Sequence, residues 1–128
     1  MKRIVVVDDD ASIGAAVRDV LATEGFEVDA PGDASAALTE LIRTAPDLVI
    51  LDVNMPGMSG WELCEILRRQ SLTRSVPILF LSGRHEIKDR ITAMQVGGSD
   101  YLAKPFGGAE LRRKVFALFG RSDRLEGR

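Results

Sequence analysis

Apolar residues in this chain fall into two kinds of pattern that alternate along its length. Ile4-Val5-Val6-Val7, Leu48-Val49-Ile50-Leu51 and Pro77-Ile78-Leu79-Phe80-Leu81 are unbroken apolar runs. A strand that is apolar on both faces belongs to a parallel sheet covered on both sides. Between the runs, apolar positions recur at helical spacing. Ile13, Ala16, Val17, Val20 and Leu21 mark a helix over about 12–24, stopped by Gly25. Ala37, Leu38, Leu41 and Ile42 mark a second, with Asp33 as its cap and Pro46 beyond its end. Leu63, Ile66 and Leu67 mark a third over 61–70, after a loop rich in Pro and Gly. A fourth helix is predicted over 86–96 and a fifth over 108–119, with short strands at 26–30 and 101–103. Five strands alternating with five helices predict a doubly wound α/β fold, a parallel sheet with helices on both faces.

Composition adds bounds rather than detail. The chain has 128 residues, enough for one domain with a real core. Its formal net charge of -2 argues against direct contact with nucleic acid, which calls for a basic footprint. The single cysteine, Cys64, allows no internal disulfide and suits a cytoplasmic setting; a small core residue is expected there. No apolar run approaches the ~18 residues of a membrane span. The basic start and short apolar run at 4–7 end in three acids, unlike a signal peptide.

In open parallel sheets function collects at the carboxyl ends of the strands. Asp8, Asp9 and Asp10 follow the first predicted strand, Asp52 the third, Ser82 ends the fourth, and Lys104 follows the fifth. Taken singly, the acids could be helix caps and Lys104 a solvated lysine. Together they describe a chemistry. Clustered carboxylates need a cation to stay ionised, and hard oxygen donors without His or Cys favour magnesium. A carboxylate can act as nucleophile toward phosphorus, and a lysine with a hydroxyl can hold phosphate oxygens.

Over about residues 3–120 the chain resembles the receiver domain of two-component response regulators. The resemblance rests on Val6-Val7-Asp8-Asp9-Asp10, on Leu51-Asp52-Val53-Asn54-Met55-Pro56-Gly57-Met58-Ser59-Gly60, on Leu81-Ser82-Gly83, and on the stretch from Gly97 through Tyr101-Leu102-Ala103-Lys104-Pro105-Phe106. It implies a flavodoxin-like (βα)5 fold with strand order 2-1-3-4-5, an order taken from the resemblance and from doubly wound folds generally. It also implies that Asp52 accepts a phosphoryl group from a histidine kinase or phosphotransfer protein. Asp8 and Asp9 would hold magnesium with Asp52 and the backbone carbonyl of Asn54. Lys104 would pair with the phosphate, and Ser82 and Tyr101 would act as switch residues for the surface of helix four, strand five and helix five. The Lys104-Pro105 bond would be cis. Ser82 stands where the family often has Thr, and Asn54 and Arg84 would tune the lifetime of the phosphate. Residues 1–121 then form the receiver, and 122–128 a polar tail or the start of a linker. The signal would pass to a downstream partner or output domain.

Such a chain is a switch input rather than an enzyme. A phosphatase of the haloacid-dehalogenase type would carry a second acid where Asn54 stands. A flavodoxin-like cofactor binder would have a Ser/Thr/Gly-rich loop where the three acids stand. A receiver-shaped scaffold acting without phosphate would have no use for the full set of site residues. His85 is expected to be exposed, Trp61 partly so, and Arg68-Arg69 and Arg112-Arg113-Lys114 to be solvated helix faces.

Overall fold

The computed structural model describes residues 1–83 and 87–126. Ten elements follow in strict alternation: β1 (Arg3–Val7), α1 (Ala11–Ala22), β2 (Glu27–Asp29), α2 (Ala34–Arg43), β3 (Leu48–Asp52), α3 (Gly60–Arg68), β4 (Ile78–Ser82), α4 (Ile87–Gln95), β5 (Asp100–Ala103) and α5 (Gly108–Glu126). The five strands form one parallel sheet in the order β2-β1-β3-β4-β5. The doubly wound expectation and the 2-1-3-4-5 order both hold.

Every residue of β3 and β4 is buried, because both faces of the central strands are covered. One face carries Val5, Val7, Val49, Leu51, Ile78 and Phe80 against α2, α3 and α4. The other carries Ile4, Val6, Ile50, Leu79 and Leu81 against α1 and α5. Residues two apart along a strand share a face, so the unbroken apolar runs divide between two cores. Cys64 is fully buried in the first, as expected, and burial pushes its thiol up to about 11.

Helix starts follow local chemistry. Asp10 caps α1 by accepting from the Ser12 amide, and Asp33 caps α2 by accepting from the Ala36 amide. Ser59 and Glu62 form a reciprocal capping box on α3. That box starts the helix at Gly60, one residue before the predicted start. At its other end α3 stops at Arg68, short of the predicted 70, where the buried Thr73 hydroxyl donates to the Leu67 carbonyl at 2.6 Å. The largest difference lies in α5, which runs on to Glu126 instead of stopping near 119. Arg, Leu and Glu in this stretch are good helix formers even without an apolar stripe. Residues 122–126, read as tail or linker, therefore continue the helix. Arg84, His85 and the predicted first residue of the fourth helix, Glu86, lie outside the described residues. No helix among the described residues is long and apolar enough to cross a membrane.

Candidate functional site

The sheet register assembles the site. Val7 pairs with Leu51, Asp52 with Leu81, and Ser82 with Ala103. Asp8, Asp52, Ser82 and Lys104 therefore stand at adjacent strand ends, although Lys104 lies 96 residues from Asp8 in the chain. The Lys104 amide donates to the Ser82 carbonyl at 2.7 Å, which continues the sheet into the loop that carries the lysine. The Lys104-Pro105 bond is cis.

Carboxylate oxygens of Asp8, Asp9 and Asp52 lie within 4.8 Å of one another. Asp8 and Asp52 are buried while Asp9 is exposed. The Lys104 Nζ donates to Asp8 Oδ2 at 2.9 Å and to Asp52 Oδ1 at 3.1 Å. Asp8 Oδ1 is also occupied, accepting from the Asp10 amide at 2.9 Å. The Asp10 carboxylate accepts from both the amide and the hydroxyl of Ser12. It starts α1 and stands outside the cluster.

Burial raises the Asp52 carboxyl above its ordinary value; the Lys104 hydrogen bond opposes this, and the charges of Asp8 and Asp9 add to the rise. For Lys104, burial works against the ammonium, but its bonds to Asp8 and Asp52 outweigh that and raise it. Three carboxylates against one ammonium leave an excess of negative charge at a partly open edge. The donor set is all oxygen, the kind hard divalent cations prefer.

The other predicted residues fall around this centre. Ser82 is buried at the end of β4. Tyr101 is buried on β5 opposite Phe80, with the Arg90 guanidinium 5.5 Å from the centre of its ring. Asn54 is exposed in the loop after Asp52, and Trp61 is partly buried.

Residues 4–116 match the response regulator receiver domain family. The chain belongs to that family. The receiver is 41% identical over 122 residues to the DNA-binding response regulator MtrA of Mycobacterium tuberculosis, covering 95% of this chain and 52% of the relative. It is 42% identical over 129 residues to the transcriptional regulatory protein SphR of Synechococcus elongatus, covering 94% of this chain and 49% of the relative. It thus spans about half the length of these curated relatives. The chemotaxis response regulator CheY4 of Vibrio cholerae superposes with a TM-score of 0.88 at 32% identity, over 92% of this chain and 98% of that one. The receiver domain of the sensor histidine kinase PA1611 of Pseudomonas aeruginosa, solved with magnesium coordinated in its active site cleft, gives 0.85 at 30% identity over 93% and 98%.

Three residues of the receiver matter more than their sequence context indicated. Gly60 reads as loop by composition, yet its amide donates to the Val53 carbonyl at 2.8 Å, and a Cβ there would stand 2.1 Å from the main-chain oxygen of Asp52. The capping signature Ser59-x-x-Glu62 would have placed the helix start; the approach to Asp52 has no signature. Arg68 is not the solvated residue expected. Its guanidinium donates to the carbonyls of Gly97 at 2.9 Å, Val76 at 2.6 Å and Thr73 at 3.2 Å, tying α3 to the ends of two loops. Lys114, also expected on a solvated face, is half-buried and pairs with Asp100 at 3.2 Å.

Proposed function

We propose that this receiver is the phosphoacceptor of a two-component phosphorelay, with Asp52 as the acceptor. The observation that carries the reading is the Lys104 ammonium bridging Asp8 and Asp52 inside a three-carboxylate cluster. A structural salt bridge needs one acid per base; here a surplus of carboxylate is held together at an accessible edge.

An Asp52 carboxylate oxygen attacks the phosphorus of a phosphohistidine on a kinase or phosphotransfer protein. The P–O bond forms as the P–N bond breaks, and the imidazole nitrogen keeps the electron pair. Later attack by water on the acyl phosphate releases inorganic phosphate and restores the carboxylate; because the group that carries the phosphoryl is the receiver's own, it acts as an input rather than as an enzyme on a separate substrate. Asp8, Asp9, Asp52 and the Asn54 backbone carbonyl would hold magnesium. Bound there, the ion would neutralise the phosphoryl oxygens as charge develops on them. Lys104 stays close to the reacting oxygens and orients Asp52. The added phosphoryl charge and acceptor oxygens would draw the Ser82 hydroxyl, and Tyr101 on the neighbouring strand would respond. The face formed by α4, β5 and α5 would then favour a different partner or output domain. The relatives' description as DNA-binding regulators suggests such an output for a longer chain, while a receiver with a net charge of -2 is not itself built for nucleic acid.

The test is labelling by a small acyl phosphate with magnesium chloride. Wild type should take up close to one phosphoryl group per chain, and Asp52→Asn none. Stoichiometric labelling of Asp52→Ala would sink the assignment. Trp61 emission should respond to magnesium chloride in wild type and not in Asp9→Ala.

A further inference from the structure

Behind the acceptor lies a continuous aromatic contact. The rings of Trp61 and Phe80 meet edge to face, with centroids 4.7 Å apart and planes at 61°. Phe80 is fully buried in the middle of β4, opposite Leu51 on one side and Tyr101 on the other. Its far edge presses on the turn between α4 and β5. A Cβ built on Gly98 would lie 2.7 Å from Phe80 Cε2, 2.8 Å from Cδ2 and 2.7 Å from the Ala93 carbonyl oxygen. At the other end, Trp61 follows Gly60, which has no clearance from the Asp52 main chain.

We infer that Phe80 and Gly98 are positioning residues for the acceptor, acting through Trp61. Interiors are close-packed and transmit displacement rather than absorb it. An atom added at residue 98 has two ways to go. It can move the Ala93 carbonyl, which is local to the turn, or it can move the Phe80 ring. A moved ring bears on Trp61, and Trp61 is tethered through the Gly60 amide to the carbonyl of Val53, the residue after Asp52. The same path works in reverse, so a shift of the Asp52 loop is felt at the α4–β5 turn. This path differs from the one through Ser82, which shares the Phe80 face of β4, in that it runs through packed rings and needs no hydrogen bond to phosphate. The absence of a β-carbon at residue 98 is what lets a phenylalanine occupy residue 80 without displacing Trp61.

This inference rests on the magnesium-dependent phosphoacceptor reading, and the experiment separates the two. Magnesium half-saturation, read by Trp61 emission, and labelling rate by a small acyl phosphate are measured in wild type, Gly98→Ala, Phe80→Leu and the double variant. Gly98→Ala should weaken magnesium binding and slow labelling about threefold in the wild-type background. In the Phe80→Leu background, where the smaller side chain leaves room, the same substitution should cost at least about twofold less, the low end of coupling between residues in contact. Equal effects of Gly98→Ala in both backgrounds would mean that only the Ala93 carbonyl is disturbed, and would overturn the inference. Phe80→Met, which removes the ring but keeps a flexible apolar side chain and leaves Gly98 untouched, serves if Gly98→Ala does not fold. It should shift both the Trp61 emission and the magnesium midpoint, and an unchanged midpoint overturns the inference as well. Wild type that neither responds to magnesium nor labels would instead refute the functional reading on which it rests.

Discussion

Gly60 and Asp52 touch through their backbones: a β-carbon on Gly60 would stand 2.1 Å from the Asp52 carbonyl oxygen and 2.9 Å from its carbonyl carbon. Main-chain atoms cannot swing aside as the end of a flexible side chain can. Gly60→Ala must therefore push the start of α3 away from the strand that carries Asp52. The expected cost is about 2–4 kcal/mol in urea unfolding, with a labelling rate reduced at least about tenfold. Gly107→Ala, where an added Cβ meets nothing within 4 Å, is the control for labelling and should leave its rate unchanged.

Asp52 has a carboxyl raised above the ordinary 3.8, with burial as the leading cause. The folded state then binds its proton more tightly than the unfolded state does. Stability contributed by this group is lost as pH rises from 3.8 through the raised folded value, and the cost is complete above it. Asp52→Asn removes the cost. With chelator present at pH 7 the variant should melt about 2–6 °C above wild type, and the gap should close as pH falls below the carboxylate range. A wild type more stable than Asp52→Asn at neutral pH would contradict the burial argument.

Lys104 is the sole cation bonded to Asp8 and Asp52 among the hydrogen bonds of the described residues at this site. Removing one partner of a buried ion pair leaves the other charge uncompensated, at a cost of about 3 kcal/mol. Lys104→Ala should lose roughly that much stability at pH 7 in chelator. Millimolar magnesium should recover part of the loss, because a divalent ion can take up the surplus charge. Thermal melts with chelator and with magnesium chloride check both halves; labelling should stay low in either.

Arg68 bonds to three carbonyls, those of Gly97, Thr73 and Val76, with no carboxylate partner among the described residues. Its burial lowers the guanidinium below its ordinary value, though not enough to discharge so strong a base at neutral pH. Arg68→Met should cost about 2–3 kcal/mol by leaving these acceptors unpaired. Arg68→Lys should recover less than half, since a single ammonium cannot span all three as a planar fork does. Urea titrations of the three proteins decide it.

Much of this receiver was legible in its sequence. The unbroken runs at 4–7 and 48–51 announced a covered parallel sheet because burial on both faces leaves no polar position in a strand. Asp10 and Asp33 announced helix starts because capping is satisfied within three residues. Asp8, Asp9, Asp52, Ser82 and Lys104 were found as strand-end residues because a parallel sheet brings all its carboxyl ends to one edge. Distance along the chain hid the rest. Arg68 looked like a solvated partner of Arg69, and only the arrival of Gly97, 29 residues later, turned it inward. Gly60 and Gly98 looked like loop residues, and only the packing of α3 on Asp52 and of Phe80 on the α4–β5 turn shows that a β-carbon at either would meet close neighbours. Periodicity and caps are local, so the sequence by itself determined the elements and the edge on which the chemistry sits. Close approach is set by which elements pack together, so the tertiary structure alone decided that Gly60 stands against the Asp52 main chain and Gly98 against the Phe80 ring.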